Sequence, residues 1–318
     1  MSDDYLWDRS GPPDLEIERL ERTLAPLRYR HAGGFVSQAR PLGAWLALAA
    51  AALVAAVALW QIRVPPPVVT AWQIAAVEGS ASVGRRAAAL SMPVRAGAVL
   101  RTGARSGLTL ESGSLGRVDL GPDSELRASG DRRVALDRGL LHAFIWAPPR
   151  EFVLDTPGAR AIDLGCEYTM RVAPSGDGLL SVSMGWVAFQ SAGGESFIPA
   201  GAACVTRRRG GPGIPFFEDA PEPFRGSLAA WERGEPDALP RLLAAARPRD
   251  ALTLWHLLTR VPAAARAEVF ERFRSLVPLP PEVTREAALR RDPHAIDLCW
   301  NALDLQNTEW WRGWERRW

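Results

Sequence analysis

"AIDLGCEYTMRV", Ala161 to Val172, decides how the middle of this chain folds. Read by parity, Ile162, Leu164, Cys166, Tyr168, Met170 and Val172 share one side, and Asp163, Gly165, Glu167, Thr169 and Arg171 share the other. A period of two marks a half-buried β-strand. The same pattern bears on chemistry. Gly-Cys-Glu resembles a nucleophile on a tight turn beside a base, yet neighbours along a strand face opposite ways, so Glu167 cannot serve Cys166. Burial away from a cation raises a thiol's pKa and makes it inert. A catalytic cysteine also needs a histidine, and His142 is the only one in this region. No catalytic residue is assigned. Cys166 is expected in the core, and the alternative is a disulfide from Cys166 to Cys204, open to a protein in an oxidising compartment.

The alternation extends outward from this strand over residues 72–208. Short runs are broken by Gly, Ser, Asp and Pro every eight to twelve residues or so, as in an all-β module. "GLTLESGSLGRVDL" (Gly107–Leu120) reads as two strands around a Ser-Gly-Ser turn, with Leu108 and Leu110 on one strand and Val118 and Leu120 on the other. "LLHAFIWA", "REFVLDTPG" and "GLLSVSMGWVAFQ" continue the pattern. Residues 209–223, dense in Gly and Pro, read as a linker, and Arg207–Arg209 as a solvated loop. From 224 to 318 the period turns helical, with Asp250 and Pro262 as a start and a stop. Seven of the 13 Trp fall there, four of them within Trp310–Trp318. They read as knobs in a helical core, or, at Trp310, Trp311 and Trp314, as an aromatic surface for sugar or protein.

Composition narrows the function classes. With 318 residues and 47% hydrophobic content, the chain has room for about two domains. A net charge of +2, all of its basic residues being Arg, argues against direct nucleic-acid binding through a broad basic face. The three Cys form no C-x-x-C pair and the four His no H-E-x-x-H, so no metal site is expected. No phosphate-binding glycine motif occurs, and no cofactor is expected.

The strongest physical signal lies upstream. Leu42 to Trp60 holds no charged residue, and 19 residues at about 1.5 Å each match a hydrocarbon core of about 30 Å. Residues 41–62 therefore read as a transmembrane helix with Trp45 and Trp60 at its interfaces. Arg28, Arg30 and Arg40 precede the span and only Arg63 follows closely, which places the N-terminus in the cytoplasm and the bulk outside. Pro-rich residues 63–71 form a stiff spacer. Residues 1–40 are a short tail in which Leu15, Ile17, Leu20, Leu24 and Leu27 fall roughly on one helical face behind an Asp14 N-cap. Leu15, Leu20, Leu24 and Leu27 are thus candidates for docking a partner.

The β region resembles the FecR domain of bacterial envelope-signalling proteins. The resemblance rests on the order of Gly97, Thr102, Gly103, Gly113, Ser114, Gly139, Thr156, Pro157, Gly165, Gly185, Val187 and Gly201 after one membrane span. Cys166 stands where the family usually has Thr, the tail is shorter than a typical anti-sigma domain, and the C-terminal part is helical where the ferric-siderophore regulators end in a small mixed α/β domain. The resemblance implies a membrane-anchored β + α protein of the inner membrane: one N-terminal transmembrane helix, a mainly-β periplasmic FecR-like domain, and a helical C-terminal domain. Its implied function is relaying an outside signal to an extracytoplasmic-function sigma factor. The alternative is an envelope-anchored module that binds glycan or another envelope protein without regulating a sigma factor.

Overall fold

The computed structural model describes residues 15–27, 72–192 and 194–305. The chain divides into two compact units, Met1–Pro67 and Val68–Trp318. In the first, helix α1 spans Leu15–Leu24, and Ala25–Leu27 continue as a 3-10 turn. No helix among the described residues is long and apolar enough to cross a membrane. The expected span at 41–62, the spacer at 63–71 and the Asp14 cap lie outside those residues.

The second unit is mainly β, with helices at its C-terminal end. Its strands form two sheets that exchange the chain repeatedly. The first sheet runs β4 (Pro93–Val94), β1 (Trp72–Glu78), β6 (Gly107–Ser112), β7 (Gly116–Leu120), β9 (Arg133–Ile145), β12 (Glu167–Val172), β13 (Gly178–Met184) and β16 (Ala202–Arg207). The second runs β3 (Arg86–Ala87), β2 (Ala81–Val83), β5 (Val99–Thr102), β8 (Glu125–Gly130), β9 again, β10 (Val153–Asp155), β11 (Arg160–Asp163), β14 (Trp186–Ser191) and β15 (Gly194–Pro199). Pairing is antiparallel except between β9 and β10. Leu108 faces Leu120 and Leu110 faces Val118, all four buried, as the alternation predicts.

The chain passes from one sheet to the other at glycines. β9 changes sheet at Gly139, β11 gives way to β12 at Gly165, β13 to β14 at Gly185, and β15 to β16 at Gly201. Gly165 (φ 84°) and Gly185 (φ 74°) sit in left-handed conformations that side chains resist. They also touch: a Cβ on Gly185 would run into the Gly165 carbonyl oxygen. Strands that turn between packed sheets need such corners.

This corrects the single-strand reading of 161–172. Residues 160–163 and 167–172 are separate strands in different sheets, and parity switches between Asp163 and Leu164. Ala161 and Asp163 are buried on one side of the switch, and Leu164, Cys166, Tyr168, Met170 and Val172 on the other. The chain leaves one sheet for the other here, which a simple period of two does not anticipate.

A second correction concerns the linker. Gly211–Pro212 and Phe216–Phe217 are short strands β17 and β18, both paired with β16, and Ile214, Phe217 and Ala220 are buried. The helices α2 (Glu222–Glu232), α3 (Ala238–Ala245), α4 (Ala251–Arg260), α5 (Ala263–Leu276), α6 (Arg285–Leu289) and α7 (Pro293–Asn301) continue the same core. Helix α4 is the link, bounded by Asp250 and Val261-Pro262 as its sequence predicts. It lies along the outer edge of β15. The Phe197 N–H donates to His256 Nε2 (3.1 Å), and Arg260 Nη2 donates to the Glu195 carbonyl (2.7 Å). Four helical residues advance about 6.0 Å and two strand residues about 6.8 Å. The His256–Arg260 pair therefore bonds the edge much as another strand would, which blunts an aggregation-prone edge. Trp300 completes the junction, with ring centroids 4.6 Å from Trp255 and 5.8 Å from both Trp186 and Phe197. Trp255 and Trp300 are core knobs, as one of the two sequence readings has it.

Candidate functional site

Helix α1 carries the first candidate surface. Leu15, Leu20 and Leu24 are 80%, 58% and 54% exposed. At about 100° per residue, Leu20 and Leu24 lie about 40° apart, but Leu15 lies about 140° from Leu20. The expected stripe is therefore narrower: Leu15 belongs to another face. Glu18 and Arg22 pair at 3.6 Å one turn apart, and Thr23 Oγ1 donates to the Arg19 carbonyl (2.8 Å), so polar side chains support the helix while its leucines face solvent. The Ile17 and Leu27 side chains lie outside the described residues, as do Trp310, Trp311 and Trp314.

The second candidate is the corner at Cys166. The sequence reading placed Asp163 on the solvated side; it is instead 1% exposed and meets the thiol. Cys166 Sγ donates to Asp163 Oδ2, and the Gly165 N–H donates to Asp163 Oδ1 (2.7 Å). Burial pushes the Asp163 carboxyl up to about 7 against those hydrogen bonds. Burial, then the adjacent carboxylate, push the Cys166 thiol well above its ordinary value. A carboxylate beside a thiol holds the proton on sulfur, the opposite of what activates a nucleophile. Glu167 faces away and pairs with His142 Nε2 at 3.1 Å. The Tyr168 hydroxyl, beneath the same corner, is buried with no hydrogen-bond partner among the described residues.

Cys166 lies in the core, and the alternative of a disulfide to Cys204 is not formed: both cysteines are free and buried. Leu180 registers with both Met170 and Cys204, so Met170 and Cys204 lie two strands apart. Cys166 is four residues from Met170, which sets the two cysteines on the order of 15 Å apart. That exceeds twice the reach of a disulfide, about 7 Å between Cα atoms. Cys204 turns its thiol to the Val205 and Gly213 carbonyls (3.4 Å each), and burial pushes it up to about 12.

The third surface was not anticipated. On the outer face of the first sheet, Phe144 and Trp146 are 40% and 47% exposed, with ring centroids 5.9 Å apart in an edge-to-face arrangement. Two paired polar groups flank them, Arg117 with Asp119 and His142 with Glu167. In "LLHAFIWA" the signal was available: both parities are apolar, so an aromatic must occupy the solvent side. No group of three or more His, Cys, Asp or Glu able to hold a metal occurs among the described residues.

Comparison with known proteins adds little beyond these surfaces. No protein-family model matches the sequence, and no curated protein resembles it. Two solved structures from Parabacteroides distasonis, each described as a "putative anti-sigma factor", are similar to 43% of this chain at 15% identity and a TM-score of 0.34. The chain spans under two thirds of their length, 65% and 64%.

Proposed function

We propose that this chain is a single-pass regulator of the bacterial inner membrane, whose periplasmic β module senses a signal and whose cytoplasmic helix α1 contacts an extracytoplasmic-function sigma factor. The observation that carries the reading is the exposure of Leu20 and Leu24 on one side of α1, 58% and 54%. Adjacent leucines left in water gain by covering each other's apolar area with a partner. The charge-free stretch Leu42–Trp60 and the resemblance to envelope-signalling proteins support the topology. In this reading the chain performs no catalysis and needs no cofactor, and Cys166 belongs to the core.

Affinity purification of the full chain with RNA polymerase subunits tests the proposal. A sigma factor should co-purify, and Leu20→Glu with Leu24→Glu should cut its recovery about tenfold or more, a loss of some 1.4 kcal/mol or greater. Absence of any sigma factor, together with unchanged transcription on deleting residues 1–40, would refute it. The second reading, an envelope-anchored binding module, is favoured by the paired rings of Phe144 and Trp146.

A further inference from the structure

A carboxyl group shut in a protein core is stable without its charge and unstable with it, unless a cation stands beside it. Asp163 is buried where the chain leaves β11 for β12, between the two sheets. The Gly165 N–H donates to its Oδ1 at 2.7 Å, and the Cys166 thiol donates to its Oδ2. The titratable groups that feel its charge are Cys166 and Tyr168, both on the β12 side, and neither becomes positive. From β14, Val187 registers with Asp163, and the Trp186 carbonyl accepts from the Leu164 N–H (3.2 Å). From β9, the Ile145 N–H donates to the Cys166 carbonyl (3.0 Å). No guanidinium of the described residues is among the groups acting on the carboxyl, and burial raises it to about 7.

The Asp163 backbone is bonded to an exposed turn. Its carbonyl accepts from the Arg150 N–H (2.7 Å), and its N–H donates to the Phe152 carbonyl (3.1 Å). Pro148, Pro149 and Arg150 are exposed, and Arg150 adopts a left-handed φ of 73° that a side chain resists. Glu151 pairs with Arg132 at the surface, where an ion pair holds weakly. Strain and exposure make this turn the boundary of the corner that opens at least cost. We propose that the corner is a pH-operated latch: it is closed while Asp163 is neutral, and ionisation releases the 148–151 turn, so that water reaches Asp163 and Cys166 while the rest of the core stays shut. The neutral acid keeps both contacts, because its O–H can donate to Sγ where the thiol had donated to the carboxylate. On opening, the carboxyl returns to its ordinary value near 4 and its proton leaves to water. Opening therefore grows as pH rises from about 4, and levels off above about 7, where closed and open forms are both ionised. The latch lies wholly within the β module and operates whether or not α1 binds a sigma factor.

The three cysteines report it, since all are free and buried. The full chain is treated from pH 5 to 8 with 4,4′-dithiodipyridine, which attacks thiols even in acid, and each cysteine is followed by peptide mass spectrometry. Dividing by the rate in urea-unfolded protein at the same pH removes the titration of the thiol itself. Protection of Cys166 should fall about tenfold per pH unit up to about pH 6.5 and level off above about 7, with Cys204 and Cys299 not following. Asp163→Asn should hold Cys166 protection level throughout. Arg150→Gly, which relieves the left-handed strain, should raise it several-fold at pH 7. Cys166 protection independent of pH would overturn the latch, as would a slope that survives Asp163→Asn. A parallel fall at all three cysteines would mean global unfolding and overturn it equally, and no effect of Arg150→Gly would overturn the part given to the turn.

Discussion

Asp163 and His256 make opposite demands on pH. The Asp163 carboxyl, raised by burial to about 7, binds its proton more tightly folded than unfolded. Its contribution to stability is full below about pH 4 and is lost as pH rises to about 7, at up to about 1.4 kcal/mol per pH unit. His256 is pushed down to about 3, by burial first and then by nearby Arg260. As the acceptor for Phe197 N–H it must stay neutral, so its contribution is present above about pH 6.5 and lost as pH falls. Between about pH 4 and 6.5 the two slopes oppose and flatten the wild-type profile. Asp163→Asn should keep the Gly165 hydrogen bond, raise stability at pH 8 by roughly 2 kcal/mol or more, and leave a profile that rises with pH. His256→Gln should leave one that falls. Urea unfolding across pH 4–8 checks both, and parallel wild-type and Asp163→Asn curves would contradict the buried-acid assignment. Tyr168→Phe removes an unpartnered buried hydroxyl and should raise stability by about 1 kcal/mol in the same assay. None of this was legible by parity, which put Asp163 in water. The alternation of Tyr168, Met170 and Val172 was legible, because beyond the corner the strand is regular.

At the scale of elements, the corners and the capped edge decide the architecture. Gly185→Ala forces a Cβ into the Gly165 carbonyl and a side chain into a left-handed φ. It should cost about 3 kcal/mol or more, read as a lowered denaturation midpoint, whereas Gly84→Ala, with open space around it, should cost only its backbone strain, about 1 kcal/mol. Equal effects would mean that the two corners do not press together. Arg260 donates to the Pro212, Gly213 and Glu195 carbonyls and to Ser196 Oγ. Arg260→Met would leave those acceptors buried and should cost about 3 kcal/mol or more. It should also speed hydrogen exchange along β15, and protection unchanged from wild type would mean that α4 does not guard the edge. The glycines were visible in the sequence as breaks between runs, but a break does not tell a hairpin turn from a change of sheet. Likewise residues 209–223 are rich in Gly and Pro, as linkers are. Their burial follows from pairing with β16, a long-range contact that local composition does not carry.

For the whole molecule, the proposal assigns sensing to the β module closed at one edge by helices and partner contact to the exposed helix near the N-terminus. The helical character of α2, α3, α4, α5 and α7 was legible in their apolar runs between Pro and Gly breaks, while the five-residue α6 was not; that these helices share the β core was not legible either, since it depends on Trp186, Phe197 and Trp300 meeting across more than a hundred residues. The narrowing of the α1 stripe follows from simple angular geometry and leaves Leu20 and Leu24 as the proposed contact. The most direct test places a photo-crosslinking amino acid at position 20 of the full chain in living cells. Capture of a sigma factor from position 20, and much weaker capture from position 15 on another face, is the predicted result. Capture of no sigma factor from position 20, in cells where the chain is intact and abundant, would contradict the account.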